Sequence, residues 1–85
     1  MTGVSHREAT IQYVGTTLDA LTPRQREVLA LVAEGRSNAN IAGHLFLTEK
    51  TVVHHVSRIY EALGLAPDAE SHRRVQAVIR YLDRD

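Results

Sequence analysis

The 85-residue chain contains no cysteine, no tryptophan and only one phenylalanine. Without cysteine, neither a disulfide framework nor a thiolate metal site can form. No apolar run approaches the roughly 18 residues that a membrane-spanning helix needs. The first ten residues, MTGVSHREAT, also lack a basic stretch followed by an apolar segment, so they do not resemble a signal peptide. We therefore expect a soluble, cytoplasmic module with no membrane partner.

The chain also lacks net charge, because ten Lys and Arg balance ten Asp and Glu when the five histidines are neutral. Non-specific binding to nucleic acid depends on many contacts between cations and phosphates, so this balance argues against a generic polyanion binder. Apolar residues make up 44% of the chain, which is enough for a small core. We expect one domain over residues 21–85, preceded by an N-terminal arm or linker over residues 1–20.

Start and stop signals mark the first helix at both ends. Thr22 and Gln25 can form a capping box, and Pro23 suits the first helical position. Gly35 suits the left-handed residue that ends the helix. Between these signals, apolar residues recur at helical spacing. The pattern predicts a helix from residue 23 to just before residue 35.

Three more helices follow. Ser37 can cap a short second helix that ends near residue 45, and Thr48 can cap a third over residues 49–63. A fourth helix begins between residues 68 and 71 and runs to about residue 82. The β-branched residues fall at helical rather than alternating spacing, so nothing predicts a strand. The expected fold class is all-α, with four helices.

The third helix has two unlike faces. At about 100° per residue, one narrow stripe is aliphatic: Val52, Val56, Ile59 and Leu63. The opposite stripe is polar and comprises Lys50, His54, Ser57 and Glu61. Its flanks carry Val53 and Arg58. Entry into the major groove needs such a helix, packed on a core on one side and presenting donors on the other. An amphipathic helix is also the commonest element of globular proteins, so an ordinary surface helix stays open at this point.

The string LTPRQREVLALVAEGRSNANIAGHLFLTEKTVVHHVSRIYEALGL, residues 21–65, resembles the LuxR/FixJ/NarL-type helix-turn-helix domain. The resemblance extends to about residue 82. It implies four helices, of which the third is the recognition helix and the fourth usually forms a dimer contact. Members of this family are bacterial transcription regulators, commonly the output domains of response regulators. The implied partners are double-stranded DNA, a second copy of the chain and RNA polymerase, and no cofactor is implied.

The sequence departs from the family pattern at two places. Val53 stands where the family commonly has Lys, and valine can touch a thymine methyl but cannot bridge to guanine or phosphate. Residues 66–74 form a longer and more charged linker than usual. We expect this linker to lengthen the fourth helix at its N-terminal end or to reposition it.

The candidate DNA contacts lie on the third helix and at the start of the second. They are Lys50, Thr51, Val53, His54, Ser57, Arg58, Thr48, Asn38 and Arg36. For most of them a helix cap or a solvated side chain is the alternative reading. His55 lies nearer the core, where a structural hydrogen bond competes with a phosphate contact. Neighbouring histidines on a helix point about 100° apart, so His54 and His55 do not predict a metal site.

The fourth helix carries an apolar stripe that has two readings. It comprises Val75, Val78, Ile79 and Leu82, with Tyr81 beside it. Part of it should face the core. The rest, with Val78 and Tyr81, can meet a symmetric partner and give a C2 dimer on DNA. The alternative is that the whole stripe closes the core of a monomer.

The zero net charge does not exclude DNA binding, because the charges are unevenly distributed along the chain. Residues 35–58 carry Arg36, Lys50 and Arg58 against Glu49, a modestly basic segment within an acidic remainder. Histidine near phosphate gains protons, because a negative neighbour favours the charged form. We therefore predict few phosphate contacts per chain and weaker binding at higher salt and at higher pH.

Two functions from different classes remain. The first is a sequence-specific regulator that binds double-stranded DNA as a dimer. The second is a protein-interaction module of the same fold, which pairs with another regulator through the fourth helix and binds DNA poorly. An enzyme is not expected, because the sequence shows no nucleophile–base pair, metal cluster or phosphate-cradling glycine loop.

Overall fold

The computed structural model describes residues 18–83, which contain α-helices, one 3₁₀ turn and no strand. The four α-helices are α1 (Pro23–Ala33), α2 (Asn38–Leu45), α3 (Glu49–Ala62) and α4 (Glu70–Leu82). The predicted all-α fold with four helices is thus confirmed.

The predicted cap of α1 is present in full. The Thr22 hydroxyl accepts a hydrogen bond from the backbone N–H of Gln25 at 3.1 Å, and the Gln25 side chain accepts from the Thr22 N–H at 2.9 Å. This reciprocal pair satisfies two of the N–H groups that a helix start leaves without partners. At the other end, Gly35 has a φ of +88°, a conformation in which a side chain would be strained.

The caps of α2 and α3 also follow the sequence prediction. Ser37 accepts from the N–H of Asn40, and Thr48 accepts from the N–H of Thr51, both at 3.1 Å. Each hydroxyl satisfies one of the N–H groups that a helix start leaves without partners, and so fixes where its helix begins. The third helix ends at Ala62, one residue before the predicted end.

The core lies between α1, α2 and α3. The predicted aliphatic stripe of α3 is entirely buried in it, and residues from the other two helices pack against that stripe. The members contributed by the first three helices are Val28, Leu29, Leu31, Val32, Ile41, Ala42, Val52, Val56, Ile59 and Tyr60. Full burial of such side chains stabilises a domain by about 1.5–3 kcal/mol each. The core therefore sets the rotation of α3 about its axis.

The fourth helix contributes one buried residue, Ala77, to this core. Val78 and Tyr81 pack against it while partly exposed. The remainder of the predicted apolar stripe stays outside, with Val75 57%, Ile79 52% and Leu82 65% exposed. At about 100° per residue these three lie on the opposite side of α4 from Ala77, and therefore stay in solvent when Ala77 packs on the core. Of the predicted stripe, Val78 thus packs on the core, whereas Val75, Ile79 and Leu82 are exposed.

Residues just before α1 also contact the domain. Leu18 packs against the core and its carbonyl accepts from the Leu21 N–H at 3.0 Å. Asp19 forms an ion pair with Arg26 at 3.1 Å. The last three residues of the segment assigned to the arm therefore pack on the domain, and the other seventeen lie outside the described part of the chain.

Candidate nucleic-acid interface

The second and third helices are joined by a three-residue turn, residues 46–48. Phe46 adopts a left-handed conformation with a φ of +59°, which is uncommon for a residue with a bulky side chain. The turn lets the N–H of Leu47 bond back to the carbonyl of Ala42 at 2.9 Å. Leu47 packs against the core while Phe46 is 94% exposed. These contacts set the angle between α2 and α3, the two elements of a helix-turn-helix.

The polar side of α3 faces solvent along the middle of the helix. We define the outward face of α3 as Lys50, Val53, His54, Ser57 and Arg58, all of them exposed. Val53 is 49% exposed, which is unusual for a valine in a helix that otherwise buries its aliphatic residues. The face is therefore open over about two turns and offers donors beside one apolar contact.

The two cations of the outward face differ in their surroundings. Arg58 forms an ion pair with Glu61 at 3.4 Å in which both side chains are exposed, and such pairs contribute little and exchange easily. Within residues 18–83, Lys50 belongs to none of the ion pairs. The rings of His54 and His55 lie 6.3 Å apart at 54°. His55 is half-buried, which agrees with its expected place nearer the core.

The hydroxyl groups at the start of α3 bond to each other. Thr48 donates to the hydroxyl of Thr51 at 2.9 Å while it accepts from the backbone N–H of Thr51. The Thr51 hydroxyl keeps its own proton for a further acceptor. Of the two predicted phosphate contacts here, Thr51 is the better placed donor, and Thr48 serves as the cap.

The candidates at the start of α2 are held by other side chains. Arg36 donates to Glu34 and to Asn40, both at 2.8 Å. Asn38 accepts from Arg74 of α4 at 3.0 Å, and Arg74 also donates to the carbonyl of Arg36 at 2.9 Å. Arg36 can bind a phosphate through Nε only when its ion pair with Glu34 breaks.

A cluster at the start of α4 was not predicted from the sequence. The buried Tyr60 donates to Glu70 at 2.8 Å, and the guanidinium of Arg73 lies 4.8 Å from the centre of its ring. Burial raises the pKa of the Tyr60 phenol, and the bond to Glu70 raises it further, so the phenol stays a donor. The only sequence signal was an aromatic residue next to the buried stripe of α3.

Residues 18–83 hold no cluster of three or more His, Cys, Asp or Glu residues that could bind a metal ion. The helices in this part of the chain are also too short or too polar to cross a membrane.

The connected α2 and α3, with a core-facing stripe opposite an exposed polar face, define a helix-turn-helix domain of the DNA-binding class. Residues 19–79 match the family described as bacterial regulatory proteins, luxR family. The chain belongs to this family, which is a family of DNA-binding regulators and not of enzymes. The resemblance inferred from the sequence is confirmed.

The relatives of this chain include a transcriptional activator and a response regulator. The DNA-binding transcriptional activator DevR/DosR of Mycobacterium tuberculosis is 42% identical over 62 residues, 73% of this chain and 26% of that protein. The nitrate/nitrite response regulator protein homolog of Haemophilus influenzae is 35% identical over 68 residues, 80% of this chain and 30% of that protein. The transcriptional regulatory protein LiaR of Bacillus subtilis is 42% identical over 48 residues, 56% of this chain and 23% of that protein.

The chain spans only a minor part of each relative, down to 5% of the length of two mycobacterial helix-turn-helix regulators. No solved structure matches the chain.

Proposed function

We propose that this domain binds double-stranded DNA in a sequence-specific way, with α3 in the major groove. The observation that carries the proposal is the outward face of α3, which is exposed while the opposite stripe of the same helix is completely buried. A helix held in this way can enter the groove without losing its packing on the core. DNA-binding transcription regulation follows from the family, and the groove and the contacts are our inference.

The outward face divides by chemistry into base contacts and phosphate contacts. Lys50 and His54 offer donors to base edges, and Val53 offers an apolar contact to a thymine methyl. Ser57 and Arg58 are suited to the phosphate backbone on the flank of the helix. At the N-terminal ends of α3 and α2, the further phosphate contacts that we propose are Thr51, Arg36 and Asn38. Thr48 supports this end of α3 as its cap, since its hydroxyl donates to Thr51.

We further propose that two copies pair on DNA through the exposed apolar surface of α4. Val75, Ile79 and Leu82 are each more than half exposed, and their burial in a symmetric contact would remove them from water. Val78 and Tyr81, at the edge of this surface, complete the contact while they pack on the core. A C2 pair would set the two recognition helices about 34 Å apart, one turn of DNA.

In the whole protein we assign residues 21–85 to DNA binding and residues 1–20 to a connecting arm, the last three residues of which pack on the domain. A regulator of this kind acts on transcription through RNA polymerase, and an upstream sensing or receiver domain would control its pairing. These assignments rest on the family and on the chain's small share of each relative.

A binding titration tests the proposal. A duplex is first selected from a random pool on the wild-type domain, and fluorescence anisotropy then compares it with an unselected duplex for the wild type, Lys50→Ala and the control Arg24→Ala. Arg24 is an exposed residue of α1 paired with Glu27, so its loss removes the same charge elsewhere. We expect Lys50→Ala to lose about tenfold or more in affinity and Arg24→Ala to match the wild type.

The alternative function gives a different pattern in the same titration. If the wild type selects no sequence and binds no duplex at low salt, the proposal fails. The α4 surface would then serve a protein-interaction module.

A further inference from the structure

A cleft separates the middle of α3 from the start of α4. Val53, Ser57 and Tyr60 line its α3 side, Asn38 lies at the α2 end, and Arg73 lines its α4 side. The cleft thus borders the outward face of α3 and contains a cation from another helix. Arg73 belongs to the charged stretch 66–74 of the sequence and lies in the first turn of α4, where it lines the same cleft as the exposed Val53 of α3.

The guanidinium of Arg73 has unused bonding capacity. It lies over the ring of Tyr60 at 4.8 Å, a contact that attracts the cation to the ring face but satisfies none of its five N–H donors. Its Nε is buried and has no hydrogen-bond partner within residues 18–83. Arg73 also takes part in none of the ion pairs in this part of the chain. Because Nε is buried, the terminal N–H groups of Arg73, which lines the cleft, are the donors that can serve an external anion.

The carboxylate that lines the cleft belongs to Glu70 and already has partners. Glu70 accepts from the phenol of Tyr60 at 2.8 Å and forms an ion pair with Arg74 at 3.8 Å. Its ion pair within residues 18–83 is thus with Arg74 and not with Arg73. The two adjacent arginines therefore differ in role, because Arg74 joins α4 to α2 while Arg73 points its charge into the cleft.

We propose that Arg73 binds a phosphate of the DNA backbone beside the groove that α3 enters. It supplies a cation next to Val53, the residue of the outward face that offers no polar group. The proposal rests on the proposed function and adds a contact from α4, so the position of α4 affects DNA affinity directly.

The test compares Arg73→Gln, Arg73→Lys and the control Arg24→Gln with the wild type on the selected duplex. Affinity is measured by anisotropy at salt concentrations from about 50 to 200 mM. Loss of one phosphate contact should reduce the slope of log K against log salt by about 0.9 per bound chain and lower affinity about 5- to 10-fold at 0.1 M salt. Arg73→Lys keeps the charge and should keep the slope, and Arg24→Gln should behave as the wild type.

The outcomes separate this inference from the proposed function. If Arg73→Gln melts at a lower temperature but keeps the wild-type slope, Arg73 is only structural and the inference is overturned. If Lys50→Ala loses binding while Arg73→Gln does not, the proposed function stands and the inference fails. If the wild type binds no duplex, both fail.

A second measurement does not require Arg73→Gln to fold. The guanidinium N–H resonances of Arg73 in the wild-type domain, assigned by their absence in Arg73→Lys, should shift when the selected duplex is added. Unshifted resonances at saturating DNA would overturn the inference.

Discussion

The third and fourth helices differ in what holds them to the domain. Helix α3 buries a complete aliphatic stripe, whereas α4 buries one alanine. Val78 and Tyr81 of α4 also pack on the core while partly exposed. The other contacts of α4 are polar: Arg74 to Asn38 and to the Arg36 carbonyl, Glu70 to Tyr60, and Arg80 to the Leu63 carbonyl at 3.0 Å. The two helices also differ in what they expose to solvent: α3 exposes polar groups around Val53, whereas α4 exposes an aliphatic surface.

This difference matches two different tasks. A helix that meets DNA has to keep one fixed rotation, and burial of a whole stripe in a close-packed core provides it. A helix that meets a partner protein needs apolar surface left outside the core, and polar contacts position it without using that surface. Variants that remove either the buried apolar side chains or the polar contacts distinguish these two ways of holding a helix. We take them from the largest expected effect to the smallest.

Truncation of the α3 stripe should have the largest effect. Ile59 is almost completely buried, so Ile59→Ala leaves a cavity and should reduce the free energy of unfolding by about 2–4 kcal/mol. Urea denaturation followed by circular dichroism measures the loss. Val53→Ala, on the exposed side of the same helix, should stay within about 0.5 kcal/mol of the wild type. Equal losses for the two variants would contradict the assigned rotation of α3.

Removal of the polar contacts of α4 should have a smaller effect. Arg74→Ala leaves Asn38 and the Arg36 carbonyl without their donor, which should cost about 1–3 kcal/mol. Thermal and urea unfolding measure this, with Arg26→Ala as the control, since its ion pair with Asp19 is exposed and contributes less than about 1 kcal/mol. If Arg74→Ala is as stable as the control, polar contacts do not hold α4.

A polar residue in the exposed surface of α4 should affect pairing and leave folding intact. Ile79→Ser should change the free energy of unfolding by no more than about 0.5 kcal/mol, because the side chain is already half exposed. Sedimentation of the complex with a two-site duplex should show loss of the second chain at concentrations where the wild type fills both sites. Ser71→Ala, also exposed on α4, is the control. Wild-type occupancy by Ile79→Ser would place the pairing surface elsewhere.

The pH effect should be the smallest. The phosphates on both sides of a DNA groove favour the charged form of a histidine that enters it, so we expect DNA binding through His54 to be stronger at lower pH. Affinity should therefore fall by about threefold between pH 6 and pH 8, and His54→Gln should flatten the profile. A flat profile for the wild type would remove His54 from the set of DNA contacts.

Local signals made the helices and their caps predictable. Thr22, Ser37 and Thr48 each bond to a backbone N–H three residues away, so the partners lie within the same short stretch of sequence. The buried stripe of α3 was predictable for the same reason, because a constant angle per residue relates its members. Residues close in sequence thus specified the elements and the outward face.

Contacts between distant residues were not predictable. Arg74 and Asn38 are 36 positions apart, and their bond depends on how α4 lies against α2. The division of the α4 stripe has the same origin, because Ala77 sets the approach of the helix and thereby leaves Ile79 outside. A periodic pattern gives the angle between residues on one helix but not the rotation of that helix against its neighbours.

The most direct measurement is the mapping of backbone amide shifts by NMR as the selected duplex is added to the wild-type domain. We predict the largest shifts at Lys50, Thr51, His54 and Arg58, with smaller shifts at the start of α2 and near Arg73. Shifts confined to the exposed surface of α4, or their absence at saturating DNA, would contradict the claim that the outward face of α3 binds DNA.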